Sequence, residues 1–180
     1  MRAFIAIGCP DSLGRELAIV QEEIKDLGDM KLVAPGSIHL TVKFLGEVDE
    51  KKAGDVIAAL EGVRSPAFDV SLKGIGAFPS IKSPRVVWAG VDAGRSEMQQ
   101  LHKSVDDILL PLGFERDERF SSHFTLARFK CLRDKDKFKE MCEKYSGRKF
   151  GCFRAEGMDL MQSVLKRDGP VYSAVRRFVF

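Results

Sequence analysis

Apolar positions along the chain alternate between a period of two and a period near 3.6, so strands and helices follow one another. Arg2 to Gly8 is a short apolar run that predicts a strand. Asp11 to Leu27 predicts an amphipathic helix, with Leu13, Leu17, Val20, Ile24 and Leu27 at helical spacing and Gly28 closing it. Ser37 to Leu45 predicts a second strand, and Asp49 to Val63 a second helix with Val56, Ile57 and Leu60 on one face. Phe68 to Phe78 alternates as a strand does, and Arg85 to Val91 predicts another. A helix follows from about Arg95 to Leu112, then a strand from Ser122 to Phe129 and a helix from Asp134 to Tyr145. Strands over Phe153 to Val164 and Val171 to Phe180 end the chain, joined by a turn at Arg167-Asp168-Gly169-Pro170.

The landmarks of this path recur at an offset of 84 to 86 residues. His39 answers His123, Asp49 answers Asp134, Phe68 answers Phe153, Lys82 answers Lys166, and Pro84 answers Pro170. A βαβαββ unit written twice, over about residues 1–84 and 85–180, predicts an α+β fold. Two antiparallel-rich sheets would carry their helices on the outer faces and enclose a central cleft. No linker separates the halves, and the strand at Arg85 to Val91 can close the first unit or open the second. The expectation is therefore one bilobal domain.

Composition narrows the function classes. With 180 residues, 44% hydrophobic and 31% charged, the chain has the make-up of an ordinary globular protein and not of a disordered or collagenous one. A net charge of +3 announces no broad polyanion-binding surface, so any RNA contact would be local. Apolar runs such as Ala3 to Ile7 stop far short of the ~20 residues a membrane helix needs. The N-terminal residues run straight into strand-like sequence without the apolar core of a signal peptide, which predicts a cytoplasmic protein, expected as a monomer. Cys9, Cys131, Cys142 and Cys152 form no C-x-x-C pair and are expected as reduced thiols. Asparagine is absent and glutamine occurs four times, a composition that leans away from thermolabile side chains.

The chemistry concentrates in two places. There are three histidines and two threonines in the whole chain, and each threonine stands two residues after a histidine: His39 with Thr41, His123 with Thr125. Residues i and i+2 of a strand share a face, so each H-x-T sets an imidazole beside a hydroxyl. In Ile38-His39-Leu40-Thr41-Val42 and Ser122-His123-Phe124-Thr125-Leu126 the interleaved residues are apolar and face the helices, which turns the polar faces to the cleft. Two opposed imidazoles suit in-line displacement at phosphorus, one taking a proton from the attacking oxygen while the other gives one to the departing oxygen. Thr41 and Thr125 are candidates to hold the non-bridging oxygens, and Arg128 to supply positive charge. Strict alternation puts Lys43 on the face of His39 as a further candidate, whereas Arg128 reaches the cleft only if its strand bulges or ends after Leu126.

Other features are read structurally. His102 lies among Gln99, Gln100 and Lys103 without a threonine and is expected at the surface with no role. Gly74-Ile75-Gly76 lacks the Lys-Ser/Thr of a P-loop and marks close strand packing instead. His39 and His123 with Cys9 or Cys131 lack the spacing of a zinc site, so no metal is expected. Lys82 and the Lys166-Arg167 turn are equally solvated charges or a clamp on an RNA backbone. Trp88, Tyr172, Phe44 and Phe129 are candidates to stack on a base.

The paired motifs resemble those of the two-histidine (2H) phosphoesterases, specifically the RNA 2',3'-cyclic phosphodiesterases also called 2'-5' RNA ligases. The resemblance runs over nearly the full length: Arg2-Ala3-Phe4-Ile5-Ala6-Ile7, His39-Leu40-Thr41-Val42-Lys43-Phe44-Leu45-Gly46, His123-Phe124-Thr125-Leu126-Ala127-Arg128 and Gly169-Pro170-Val171-Tyr172 all carry it. It implies a bilobal fold, no metal or organic cofactor, and hydrolysis of an RNA 2',3'-cyclic phosphate end, tRNA-derived ends included, to a 2'-phosphate. It also implies a reverse 2'-5' joining activity, with His39 as proton donor and His123 as acceptor, although the near-symmetry of the halves leaves that assignment open. Two alternatives stand beside it: a non-catalytic module that holds RNA ends, and a phosphodiesterase acting on a small cyclic nucleotide such as ADP-ribose cyclic phosphate.

Overall fold

The computed structural model describes residues 1–166 and 169–180. The chain runs β1 (Arg2–Gly8), α1 (Asp11–Ile24), β2 (Gly28–Leu32), β3 (His39–Glu47), α2 (Glu50–Leu60), β4 (Phe68–Ser80) and β5 (Ser83–Val91). It continues through α3 (Arg95–Leu109), β6 (His123–Leu132), α4 (Lys135–Tyr145), β7 (Lys149–Ala155), β8 (Gly157–Lys166) and β9 (Gly169–Val179). The expected α+β class, antiparallel pairing and helix positions hold. The turn expected at Arg167 and Asp168 lies outside the described residues.

In place of the two sheets expected, the described strands form one curled sheet of order β7-β4-β5-β6-β3-β1-β8-β9, with β2 paired to β6 beside that path. Its two wings join at the centre through one bridging pair, Leu40 with Phe124. The wings are not the two sequence halves. First-half strands β2 and β4 pair with second-half β6, β5 and β7, while β8 and β9 complete the wing of β1 and β3. The helices cross over in the same way, α1 packing on β6 and β7, and α3 on β3. Each half therefore lends elements to both wings, and one contiguous apolar core runs beneath them.

Local chemistry accounts for most boundaries. Asp49 caps α2 by accepting from the Lys52 N–H at 2.7 Å, and Asp134 caps α4 by accepting from Lys137 at 3.0 Å, the same device one repeat apart. Two elements differ from the pattern-based reading. Gly28, expected only to end α1, opens the unforeseen strand β2; a Cβ there would lie 2.2 Å from the Cys131 carbonyl oxygen, so its strand approaches β6 closely because it is glycine. The strand expected over Phe153 to Val164 is two strands, broken at Glu156, whose carbonyl accepts from the Phe180 N–H at 2.9 Å. The reading of Gly76 as a close-packing position holds: a Cβ on it would fall 2.3 Å from the Trp88 ring. Among the described residues no helix is long and apolar enough to cross a membrane.

Candidate active site

Leu40 and Phe124, both fully buried, point into the core from the central bridging pair. Alternation turns their neighbours His39, Thr41, His123 and Thr125 to the other face, where all four are half-buried along one cleft of about 690 Å³. Antiparallel register around that pair sets Thr125 opposite His39 and Thr41 opposite His123, crossing the two couples over a local two-fold.

Each motif strand then bulges at the same place. Against β1, Thr41 lies opposite Ala6 and Lys43 opposite Ile5, leaving Val42 as the extra residue. Against β5, Thr125 lies opposite Trp88 and Ala127 opposite Val87, leaving Leu126 as the extra residue. A bulge inverts the alternation beyond it. Arg128 consequently enters the cleft, the condition on which its candidacy depended. The same inversion bears on Lys43, which borders the cleft but sends its ammonium group into the core. It is 5% exposed, and its ammonium group pairs with Asp106 and donates to the Glu115 carbonyl at 2.6 Å. Phe44 lines the cleft beside it and is 68% exposed.

The two imidazoles are held alike. His39 donates from Nδ1 to the Ser37 carbonyl at 2.7 Å, and His123 donates from Nδ1 to the Ser121 carbonyl at 2.7 Å. A carbonyl can only accept, so Nδ1 carries the hydrogen and Nε2 of each neutral ring keeps its lone pair. Burial pushes His39 below the usual histidine range against the opposing bond to Ser37, and the charges of Arg128 and His123 push it further down. Burial likewise lowers His123, opposed by its bond to Ser121 and aided by Arg128.

Aromatic rings fix both imidazoles from the side. Phe4 stacks on His39 at 4.9 Å and Tyr172 meets it edge-on at 5.2 Å. Phe78 meets His123 edge-on at 5.0 Å, with Trp88 at 6.3 Å. Of the four aromatic candidates, Tyr172 and Phe44 line the cleft, Trp88 packs beside His123, and Phe129 is core against Phe138. Phe4 was not foreseen as part of the site. The repeat carried the signal, because the offset of 84 that relates the histidines also relates Phe4 to Trp88.

Arg2 and Arg119 join Arg128 on the cleft wall, and none of the three makes an ion pair among the described residues. A modest net charge thus coexists with a cleft rich in unneutralised arginine. Cys9, considered as a partner to the histidines for a metal, is a poor thiolate: burial, with Asp11 adding to it, pushes its thiol up to about 12. His102 departs from its expected surface position and is 4% exposed beneath β3.

The model of LigT-like phosphoesterases matches residues 7–88 and again residues 90–172, one match per repeat. The chain belongs to that family. It is 37% identical over 178 residues to a protein of Archaeoglobus fulgidus named RNA 2',3'-cyclic phosphodiesterase, covering 99% of both chains. A Methanocaldococcus jannaschii protein of the same name is 36% identical over 178 residues, covering 99% of this chain and 100% of that one. Among solved structures, a Thermus thermophilus protein superposes with a TM-score of 0.84 at 29% identity, over 99% of this chain and 97% of that one. Escherichia coli LigT, crystallised with 3'-AMP, shares the fold with a TM-score of 0.81 at 23% identity, over 99% and 97% of the two chains. In this LigT-like chain the two repeats bring one H-x-T each to the same cleft.

Proposed function

We propose that the protein hydrolyses RNA 2',3'-cyclic phosphate ends to 2'-phosphates, without a metal, by acid/base catalysis between His39 and His123. The observation that carries the reading is the matched state of the two rings: each commits Nδ1–H to a backbone carbonyl and keeps Nε2 for a proton. Water attacks phosphorus in line with the P–O3' bond. Nε2 of one ring takes the water proton, the P–O3' bond breaks, and protonated Nε2 of the other ring gives its proton to the leaving 3'-oxygen. Family resemblance assigns donation to His39 and acceptance to His123. Thr41, Thr125 and Arg128 hold the non-bridging oxygens as charge gathers on them.

The lowered histidines fit this division. A neutral His123 is ready as a base near neutral pH. His39 is lowered in the free protein, and the arriving phosphate anion favours its protonated form, so substrate binding itself arms the acid. The names of the relatives support RNA as the substrate. With an RNA 5'-hydroxyl in place of water as the attacking group, the same step joins 2' to 5'.

The deciding experiment is product analysis on a nucleoside 2',3'-cyclic phosphate with EDTA present. Phosphorus NMR should show a 2'-phosphate, and His39→Ala or His123→Ala should lose about 10²- to 10⁴-fold in turnover while still binding. Full activity in either variant, or a product carrying a 3'-phosphate, sinks the mechanism. Binding of RNA ends without turnover in the unmodified protein would make it a holding module instead.

A further inference from the structure

We infer that His102 is a positioning residue that holds the segment leading into His123, and through it the orientation of the His123 ring. The inference deepens the proposed mechanism and rests on the role given there to His123.

The two catalytic candidates are held by segments of different strength. Ser37, whose carbonyl receives His39, closes a helical turn over Pro35–Ser37. That turn supports itself through backbone bonds from Ser37 to Ala34 at 2.8 Å and from Ile38 to Pro35 at 3.3 Å. Ser121, whose carbonyl receives His123, ends a stretch from residue 114 to 122 that contains no helix or strand. Such a segment takes its conformation from side chains that satisfy its backbone.

Apart from Asp117, whose carboxylate accepts from the Arg119 N–H at 3.0 Å, those side chains come from one buried group. His102 bridges two backbone carbonyls, with Nδ1 2.9 Å from the Val42 oxygen and Nε2 3.0 Å from the Asp117 oxygen. It stacks on Phe120 with ring centres 4.1 Å apart and planes 6° from parallel. Asp106 stands against the same ring, with Oδ2 3.3 Å from Nε2. Asp106 also accepts from the Asp117 N–H at 2.9 Å. Lys43, paired with Asp106, donates to the Glu115 carbonyl at 2.6 Å. The group therefore ties the bulge of β3, at Val42, to residues 115, 117 and 120. One residue further on is Ser121, and Arg119 and Phe120 of the same stretch line the cleft. His102 touches no reacting atom; it sets where the His123 ring and the Arg119 side chain stand.

The test compares the two catalytic rings within one molecule. In His102→Ala the ¹⁵N ring signals of His123 should lose their single Nδ1–H form while those of His39 stay unchanged. Turnover of a nucleoside 2',3'-cyclic phosphate, measured below the melting temperature, should drop roughly 10- to 100-fold with a smaller change in KM. His102→Gln, which restores one donor, should recover part of the turnover. Unchanged signals at His123, or equal changes at His39 and His123, overturn the inference even if the melting temperature falls. Should His102→Ala not fold, His102→Phe, which keeps a ring against Phe120 but loses both backbone contacts, takes its place: a change at His123 alone supports the tie, and unchanged or equal signals at the two rings overturn it. A protein that turns over no cyclic phosphate but shows the His123-selective change refutes the functional reading and leaves the positioning role standing.

Discussion

Leu40 and Phe124 face each other at the bridging pair between β3 and β6, and neither side chain is exposed. This contact joins the wings and sets the separation of the two H-x-T couples that flank it. Shortening Leu40 to Ala should cost about 2–5 kcal/mol of stability, as for other fully buried leucines. The variant should also lose turnover at temperatures where it remains folded, because the couples on the opposite face lose their spacing. Denaturant titration with a parallel rate assay checks both. A destabilised variant with a normal rate would mean that the junction does not set the geometry.

His39 and His123 are both lowered in the folded protein, chiefly by burial. Their ordinary value is about 6.5. In the free protein the rate at low substrate should fall at low pH as His123 gains a proton, with a midpoint below that value. The linked stability has the same sign. It is fully present above the unfolded value and is lost as pH falls through the folded values, since protonation is easier in the unfolded chain. Replacing both histidines with Gln should flatten that part of the dependence of melting temperature on pH. A double variant with the slope intact would place its source elsewhere.

Arg128 acts on both rings, and its charge lowers each. In Arg128→Ala both histidines should move back toward the usual range in an NMR titration, and turnover should fall roughly 10²- to 10³-fold. Histidines that do not move would show that the guanidinium is not where the β6 bulge puts it.

Lys43 borders the cleft, but its ammonium group is the partner of a buried carboxylate. Lys43→Ala should therefore destabilise the protein by about 3–5 kcal/mol, because Asp106 is left buried without its ammonium partner. Normal stability with lost turnover would return Lys43 to the catalytic face.

The difference between Lys43 and Arg128 marks how far pattern alone reaches. Alternation along a strand correctly paired His39 with Thr41 and His123 with Thr125, since a period of two depends only on backbone pleating. It failed one residue later, because the extra residues Val42 and Leu126 become visible only when a neighbouring strand supplies the register. Phe44 shares its motif with Lys43, yet only the bulge reveals which of the two side chains is exposed and which is buried. His102 failed for a related reason. Its neighbours in sequence are polar, but its burial is decided by β3 and the 114–122 segment, both remote along the chain.

By itself the sequence determined the alternation of elements, the doubling of the chain and the two imidazole–hydroxyl couples, all properties of local periodicity and residue chemistry. Tertiary structure alone decided that the wings exchange elements between halves and that the couples meet across Leu40 and Phe124. It also decided that bulges bury the Lys43 ammonium group, expose Phe44 and deliver Arg128, and that a buried histidine holds the approach to His123. Those outcomes depend on contacts between residues dozens of positions apart, and close packing there leaves each side chain a single place to go.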